Sequence, residues 1–204
     1  MEHRSNSLRS WTLSVAMVLA GALITTVLRN VASADEDGRA TLTYSLQATT
    51  LLTVNPSDVT CPLKVVVEGA GLTNVLGPIH DSQSHCINPT NGNVEQGVFT
   101  LTGAKLGGSA PGGVDSQDSV IGHYSAHAVP TPNSVFPSSP TGSPGGYWLI
   151  YGQVCTAGGT GKFAHVRNEC PTDTSPGHFV PARGSVDYDS GQANIYGTMS
   201  LHFE

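Results

Sequence analysis

The sequence predicts an all-β domain, a sandwich or a closed barrel, preceded by a short targeting segment. Three observations carry this prediction. The 204 residues include 24 glycines and 13 prolines, and only 12% are charged. That balance suits turns and strands rather than long helices. After residue 34, no window repeats apolar residues every 3.6 positions, whereas period-two alternation is common. Turn signals recur at Asn91-Gly92, Gly107-Gly108, Gly112-Gly113, Gly158-Gly159 and Ser190-Gly191. The low charge excludes an acidic disordered chain. Four cysteines are too few for a small disulfide knot.

Residues 1–34 read as a signal peptide. Arg4 and Arg9 precede an uncharged apolar stretch from Trp11 to Leu28, and Ala32-Ser33-Ala34 supplies small residues for cleavage. The competing reading is an uncleaved anchor. Thr12, Ser14, Gly21, Thr25 and Thr26 dilute the stretch, and it stands at the lower length limit for a spanning helix. Residues 35–204 then form a single domain. Cleavage removes Arg4, Arg9, Arg29 and Glu2. Six basic and 14 acidic residues remain, a net charge of −8 against −6 for the whole chain. With no basic cluster, nucleic acid and, after cleavage, membrane are excluded as partners. A homo-oligomer is compatible with the composition.

Alternation marks the strands in order. In Arg39–Thr49, Leu42, Tyr44 and Leu46 share one face. Leu63, Val65 and Val67 alternate with Lys64, Val66 and Glu68. Gly97–Leu106, Ser119–Val129 and the apolar Tyr147–Val154 follow, then Lys162–Arg167, Gly184–Tyr188 and Ala193–Phe203. Leu76–Ile87 lacks a clear pattern, so the count is eight or nine. Pro130–Gly146 carries five prolines and reads as a long surface loop, with a rim or lid over a barrel end as its functional form.

Cys61, Cys86, Cys155 and Cys170 are an even set in an exported chain, which favours disulfides. Of three pairings, Cys61–Cys86 with Cys155–Cys170 is favoured, because each bridge brackets a loop-rich stretch.

The run Gly158-Gly159-Thr160-Gly161-Lys162-Phe163-Ala164-His165-Val166-Arg167 resembles the GGTG-x-F-x-x-A-R-G stretch of dirigent proteins and allene oxide cyclase-like barrels. It departs from that pattern at Val166 and Asn168. Gly97–Gly103 and Ile195–Leu201 are similar to a mid-barrel and a closing strand of bacterial members. The resemblance implies an eight-stranded antiparallel β-barrel with an apolar central cavity. It also implies a cofactor-independent cyclase or isomerase that acts through cavity shape, with Arg167 in the motif's arginine position.

The chemical candidates divide into three sets. Tyr44, Tyr124, Trp148, Tyr151 and Phe163 are candidate lining for a small hydrophobic molecule, against an ordinary core role. Glu68 is a candidate carboxylate only if its strand register turns it inward; the alternation favours outward. His80, His85, His123 and His127 are candidate copper or zinc ligands, against exposed polar histidines. No G-x-S-x-G elbow supports serine catalysis. The functional expectation is a secreted barrel that binds a small hydrophobic molecule and guides its cyclisation or isomerisation. The alternatives are a non-catalytic secreted scaffold and a histidine-bound metal protein.

Overall fold

The computed structural model describes residues 38–104, 118–136, 142–174 and 176–204. The segment 1–34, the Gly107-Gly108 and Gly112-Gly113 signals, and Pro137 and Pro140 lie outside the described residues.

Eight strands form one closed antiparallel barrel. They are β1 (Arg39–Val54), β2 (Leu63–Thr73), β3 (Gly77–Ile87), β4 (Asn93–Gly103), β5 (Ser119–Pro130), β6 (Tyr147–Thr160), β7 (Val180–Asp187) and β8 (Gln192–His202). Each pairs with the next, and β1 closes on β8 through Arg39↔His202 to Thr49↔Gln192. Closure leaves no open sheet edge. Among the described residues no helix is long and apolar enough to cross a membrane.

Period-two alternation sets which face is inside. In β1, Leu42, Tyr44, Leu46 and Ala48 are buried while Thr41, Thr43, Ser45 and Gln47 are exposed. The inward residues gather into two apolar clusters. One is built on Leu42, Ile79, Val120, Phe163 and Leu201; the other on Leu63, Val65, Ile87, Trp148 and Val186. The Asn91-Gly92 and Ser190-Gly191 signals do form turns, with Gly92 and Gly191 at φ 74° and 70°.

Two local expectations are corrected. Gly158-Gly159 is not a turn, because β6 runs on to Thr160 with a register shift opposite Ile121 and Gly122. Nor is Lys162–Arg167 a strand. Gly161, at φ 59°, opens a single 3-10 turn, Gly161–Phe163, that drops Phe163 into the first cluster. The buried Asp118 accepts a 2.9 Å hydrogen bond from the Lys162 backbone N–H and so pins the turn.

The bridges are Cys61–Cys86 and Cys155–Cys170, as the local pairing predicts. The first ties the β1–β2 connection to β3; the second ties the long β6–β7 connection to β6. They indicate folding in an oxidising environment. In the proline-rich β5–β6 connection, Val135 pairs with Gly145, and Phe136 packs edge-on against Trp148. The described part of that loop therefore adds to the second cluster.

Candidate functional site

A cavity of about 90 Å³ lies where the two clusters meet. It takes Tyr44, Leu46, Phe99, Leu101 and Met199 from the first cluster and Val67, Val186 and Ala193 from the second. Its origin is a mismatch in side-chain size. Along β5, β6 and β7 the lining includes Ala126, Gly152, Ala182 and Gly184, which leave space that the opposing rings do not fill.

Strand β3 brings polar groups next to the cavity, and of these Gln83 lines it. Strand β3 turns Ile79, Asp81, Gln83, His85 and Ile87 inward, apolar at both ends and polar between. Gln83 lines the cavity and donates from Nε2 to Asp81 Oδ2 at 2.8 Å. Asp81 is fully buried, and its Oδ1 has no hydrogen-bond partner among the described residues. The register neighbours of Asp81 are Gly69, which has no side chain, and Leu101, which lines the cavity. His85 Nδ1 and Tyr124 Oη share a 2.7 Å hydrogen bond.

Burial governs the protonation of these groups. Desolvation raises the Asp81 carboxyl to about 7; the Gln83 hydrogen bond opposes this and the charge of Glu68 adds to it. Desolvation lowers His85 to about 4, so its imidazole is neutral at physiological pH. The Tyr44 and Tyr124 hydroxyls are pushed up, first by desolvation and then by the charge of Asp81, so both remain neutral donors. The barrel interior therefore holds, bonded to the lining residue Gln83, a carboxyl that desolvation moves up to about 7, together with neutral hydroxyl and imidazole groups.

Of the five aromatic candidates, Tyr44 and Tyr124 line the cavity. The other three do not. Trp148 is buried in the second cluster, where its Nε1 donates to the Gly145 carbonyl at 2.8 Å. Tyr151 is exposed on the outer face of β6, and Phe163 is core. Glu68 also points outward, accepting from Ser82 Oγ at 2.8 Å and pairing with His80 Nε2 at 3.1 Å. Arg167 is exposed; its backbone N–H donates to the His202 carbonyl at 2.7 Å.

The histidines do not converge. His80 is on the outer wall and His85 faces inward, because they stand an odd number of positions apart on one strand. His123 and His127 are exposed on β5, and His127 Nδ1 meets Asn93 Oδ1 at 2.9 Å. Among the described residues no three His, Cys, Asp or Glu side chains are placed to hold a metal ion.

Asp81 and Gln83 are the functional candidates that sequence reasoning missed. The available signal was the run Ile79-His80-Asp81-Ser82-Gln83-Ser84-His85-Cys86-Ile87, with isoleucines of one parity at both ends. Those ends fix the inward face, and Asp81, Gln83 and His85 share it. No family model, curated protein or solved structure matches the chain.

Proposed function

We propose that this is a secreted protein, exported by a signal peptide spanning residues 1–34, whose barrel binds a small hydrophobic molecule and guides its cyclisation or isomerisation. The observation that carries this reading is the mid-barrel cavity, apolar on most sides, whose lining residue Gln83 donates a hydrogen bond to the buried Asp81. An apolar pocket with a few convergent polar groups and a perturbed carboxyl is the usual form of a small-molecule site. The cavity walls would hold a flexible molecule in one reactive shape, lowering the entropic part of the barrier. Gln83 supplies a polar contact in the cavity wall, and it is bonded to the buried Asp81, whose carboxyl desolvation raises to about 7. The resemblance of the Gly158–Arg167 run to allene oxide cyclase-like and dirigent barrels supports the same reading.

The test is native mass spectrometry of protein purified from its source. A retained small molecule, lost in an Ala182→Leu variant, is the expected result. Absence of any bound species, together with identical behaviour of the variant in a screen of apolar compounds, defeats the reading.

A second reading, a rigid non-catalytic scaffold, draws on the size of the cavity. At about 90 Å³ it is well under the 300–1,000 Å³ typical of drug-sized sites, and two apolar clusters occupy much of the barrel interior. The same screen separates the two readings.

A further inference from the structure

Two polar side chains in the wall of the mid-barrel cavity have unused hydrogen-bonding capacity. Tyr44 is 7% exposed and Gln83 9%, and both line the cavity. Gln83 Nε2 is committed to Asp81 Oδ2, which leaves the amide oxygen Oε1 as an acceptor. Neither Gln83 Oε1 nor Tyr44 Oη has a hydrogen-bond partner among the described residues. Among those residues Asp81 Oδ1 is the one unpaired side-chain nitrogen or oxygen that is sealed from open space. Tyr44 Oη and Gln83 Oε1 are therefore unpaired but reachable, and the space that both residues line is the cavity. The remaining polar lining is engaged or turned away. Thr50 Oγ1 donates to the Gly191 carbonyl at 3.3 Å, and Tyr124 Oη meets His85 Nδ1 at 2.7 Å. Ser125, Gln153, Arg183 and Ser185 border the cavity from positions that alternate to the outer face of the barrel.

Resting on the cavity-binding reading above, we propose that the ligand is a small neutral alcohol, its hydroxyl hydrogen-bonded to Gln83 Oε1 and Tyr44 Oη and its alkyl part against Leu101, Val186 and Met199. The class follows from what the two atoms lack. An amide oxygen only accepts, so Oε1 requires a donor from the ligand. The Tyr44 hydroxyl has a proton to give and requires an acceptor. A hydroxyl group is donor and acceptor at once, whereas a ketone or ether only accepts and a hydrocarbon does neither. Leaving a buried polar atom unpaired is costly, which sets an alcohol apart from the corresponding ketone. A carboxylate or an ammonium group would give up its hydration in a lining whose inward side chains carry no charge.

The size follows from the volume. At about 90 Å³ the cavity is smaller than the roughly 150 Å³ that holds benzene in an engineered core, so about four non-hydrogen atoms fit. A molecule that fills so small a space reaches both polar atoms.

The experiment is an NMR titration of the purified protein with 2-propanol, acetone and 2-chloropropane. The three share one carbon skeleton and offer respectively a donor with an acceptor, an acceptor alone, and neither. Binding is read from the methyl resonances of Leu101 and Met199, which line the cavity. 2-Propanol should bind tighter than acetone by about fivefold or more. Gln83→Met removes the acceptor and should bring the two to equal affinity. Tyr44→Phe removes the donor and should weaken 2-propanol and acetone alike, relative to 2-chloropropane, by about fivefold or more. The wild-type comparison of 2-propanol with acetone needs no substitution and decides the matter should either variant fail to fold. Acetone binding as tightly as 2-propanol, a 2-propanol preference that survives Gln83→Met, or unchanged binding in Tyr44→Phe overturns the alcohol assignment. Binding of 2-chloropropane at the same methyl groups then leaves the cavity reading standing. Failure of every probe overturns the assignment too, and the retained-ligand measurement decides the cavity reading separately.

Discussion

Gly97 of β4 lies directly against the ring of Tyr124 on β5. A Cβ built at Gly97 would stand 2.7 Å from Tyr124 Cδ2 and 2.5 Å from the Tyr124 carbonyl oxygen. The two residues are in register. The missing side chain is what lets the tyrosine lie across the neighbouring strand, where its hydroxyl reaches His85. Gly197 and Tyr44 repeat the relationship between β8 and β1, with 2.5 Å from the built Cβ to the hydroxyl oxygen. Both cavity tyrosines therefore rest on a glycine.

It follows that Gly97→Ala should destabilise the fold by about 1–3 kcal/mol, the usual cost of overpacking. The added methyl displaces the ring and breaks the His85–Tyr124 hydrogen bond. Chemical denaturation measures the loss, and NMR of the His85 ring reports the broken contact. An unchanged midpoint and an unmoved His85 resonance would contradict the account.

Asp81 should make stability fall as pH rises. Its folded value, about 7, lies above its ordinary value of 3.8, so the folded state holds the proton more tightly. The stability this confers is complete below about pH 4, declines through the interval, and is gone above about pH 7. Three units correspond to an upper limit of about 4 kcal/mol. Asp81→Asn should therefore stabilise the barrel relative to wild type at pH 8 and do so much less at pH 4. Thermal melts of both proteins at the two pH values check the sign.

Ala182→Leu should fill the cavity from β7. The expected outcome is loss of small-molecule binding with a stability change of no more than about 1–3 kcal/mol, in either direction. Calorimetric unfolding with and without added ligand separates the two effects. A variant that binds as wild type does would place the ligand elsewhere.

Each disulfide should contribute about 3 kcal/mol, with Cys61–Cys86, separated by 25 residues, slightly above Cys155–Cys170, separated by 15. Paired Cys→Ser variants measured in urea test the order. Loss of Cys155–Cys170 should also free the β6–β7 connection, which hydrogen exchange detects as faster exchange of the Glu169 amide, now bonded to the Thr156 carbonyl at 2.8 Å.

How much of this was legible in advance varies with the residue. Tyr44 could be placed inside because Leu42 and Leu46 share its parity and Thr41, Thr43 and Ser45 take the other. The same alternation turned Glu68 outward. Strand β3 resisted because its inward face is Asp81, Gln83 and His85, the reverse of the apolar pattern by which strands are recognised. Trp148 and Tyr151 failed as cavity residues for a different reason. Parity assigns a face of the sheet, not a height along the barrel, and Trp148 packs against Phe136 away from the cavity lining. Tyr151 has the opposite parity from Trp148 and so faces solvent.

The sequence by itself determined the all-β class, the local disulfide pairing and most of the strand positions. These depend on period-two alternation, turn chemistry and short-range spacing, which are properties of neighbours along the chain. Tertiary structure alone decided that the sheet closes on itself, that small residues on β5, β6 and β7 face large ones across the interior, and that Asp81 is buried beside Gln83. Those facts depend on which residues meet across the barrel. Such meetings are set by strand register and closure between positions as distant as Tyr44 and Gly197, and no local pattern records them.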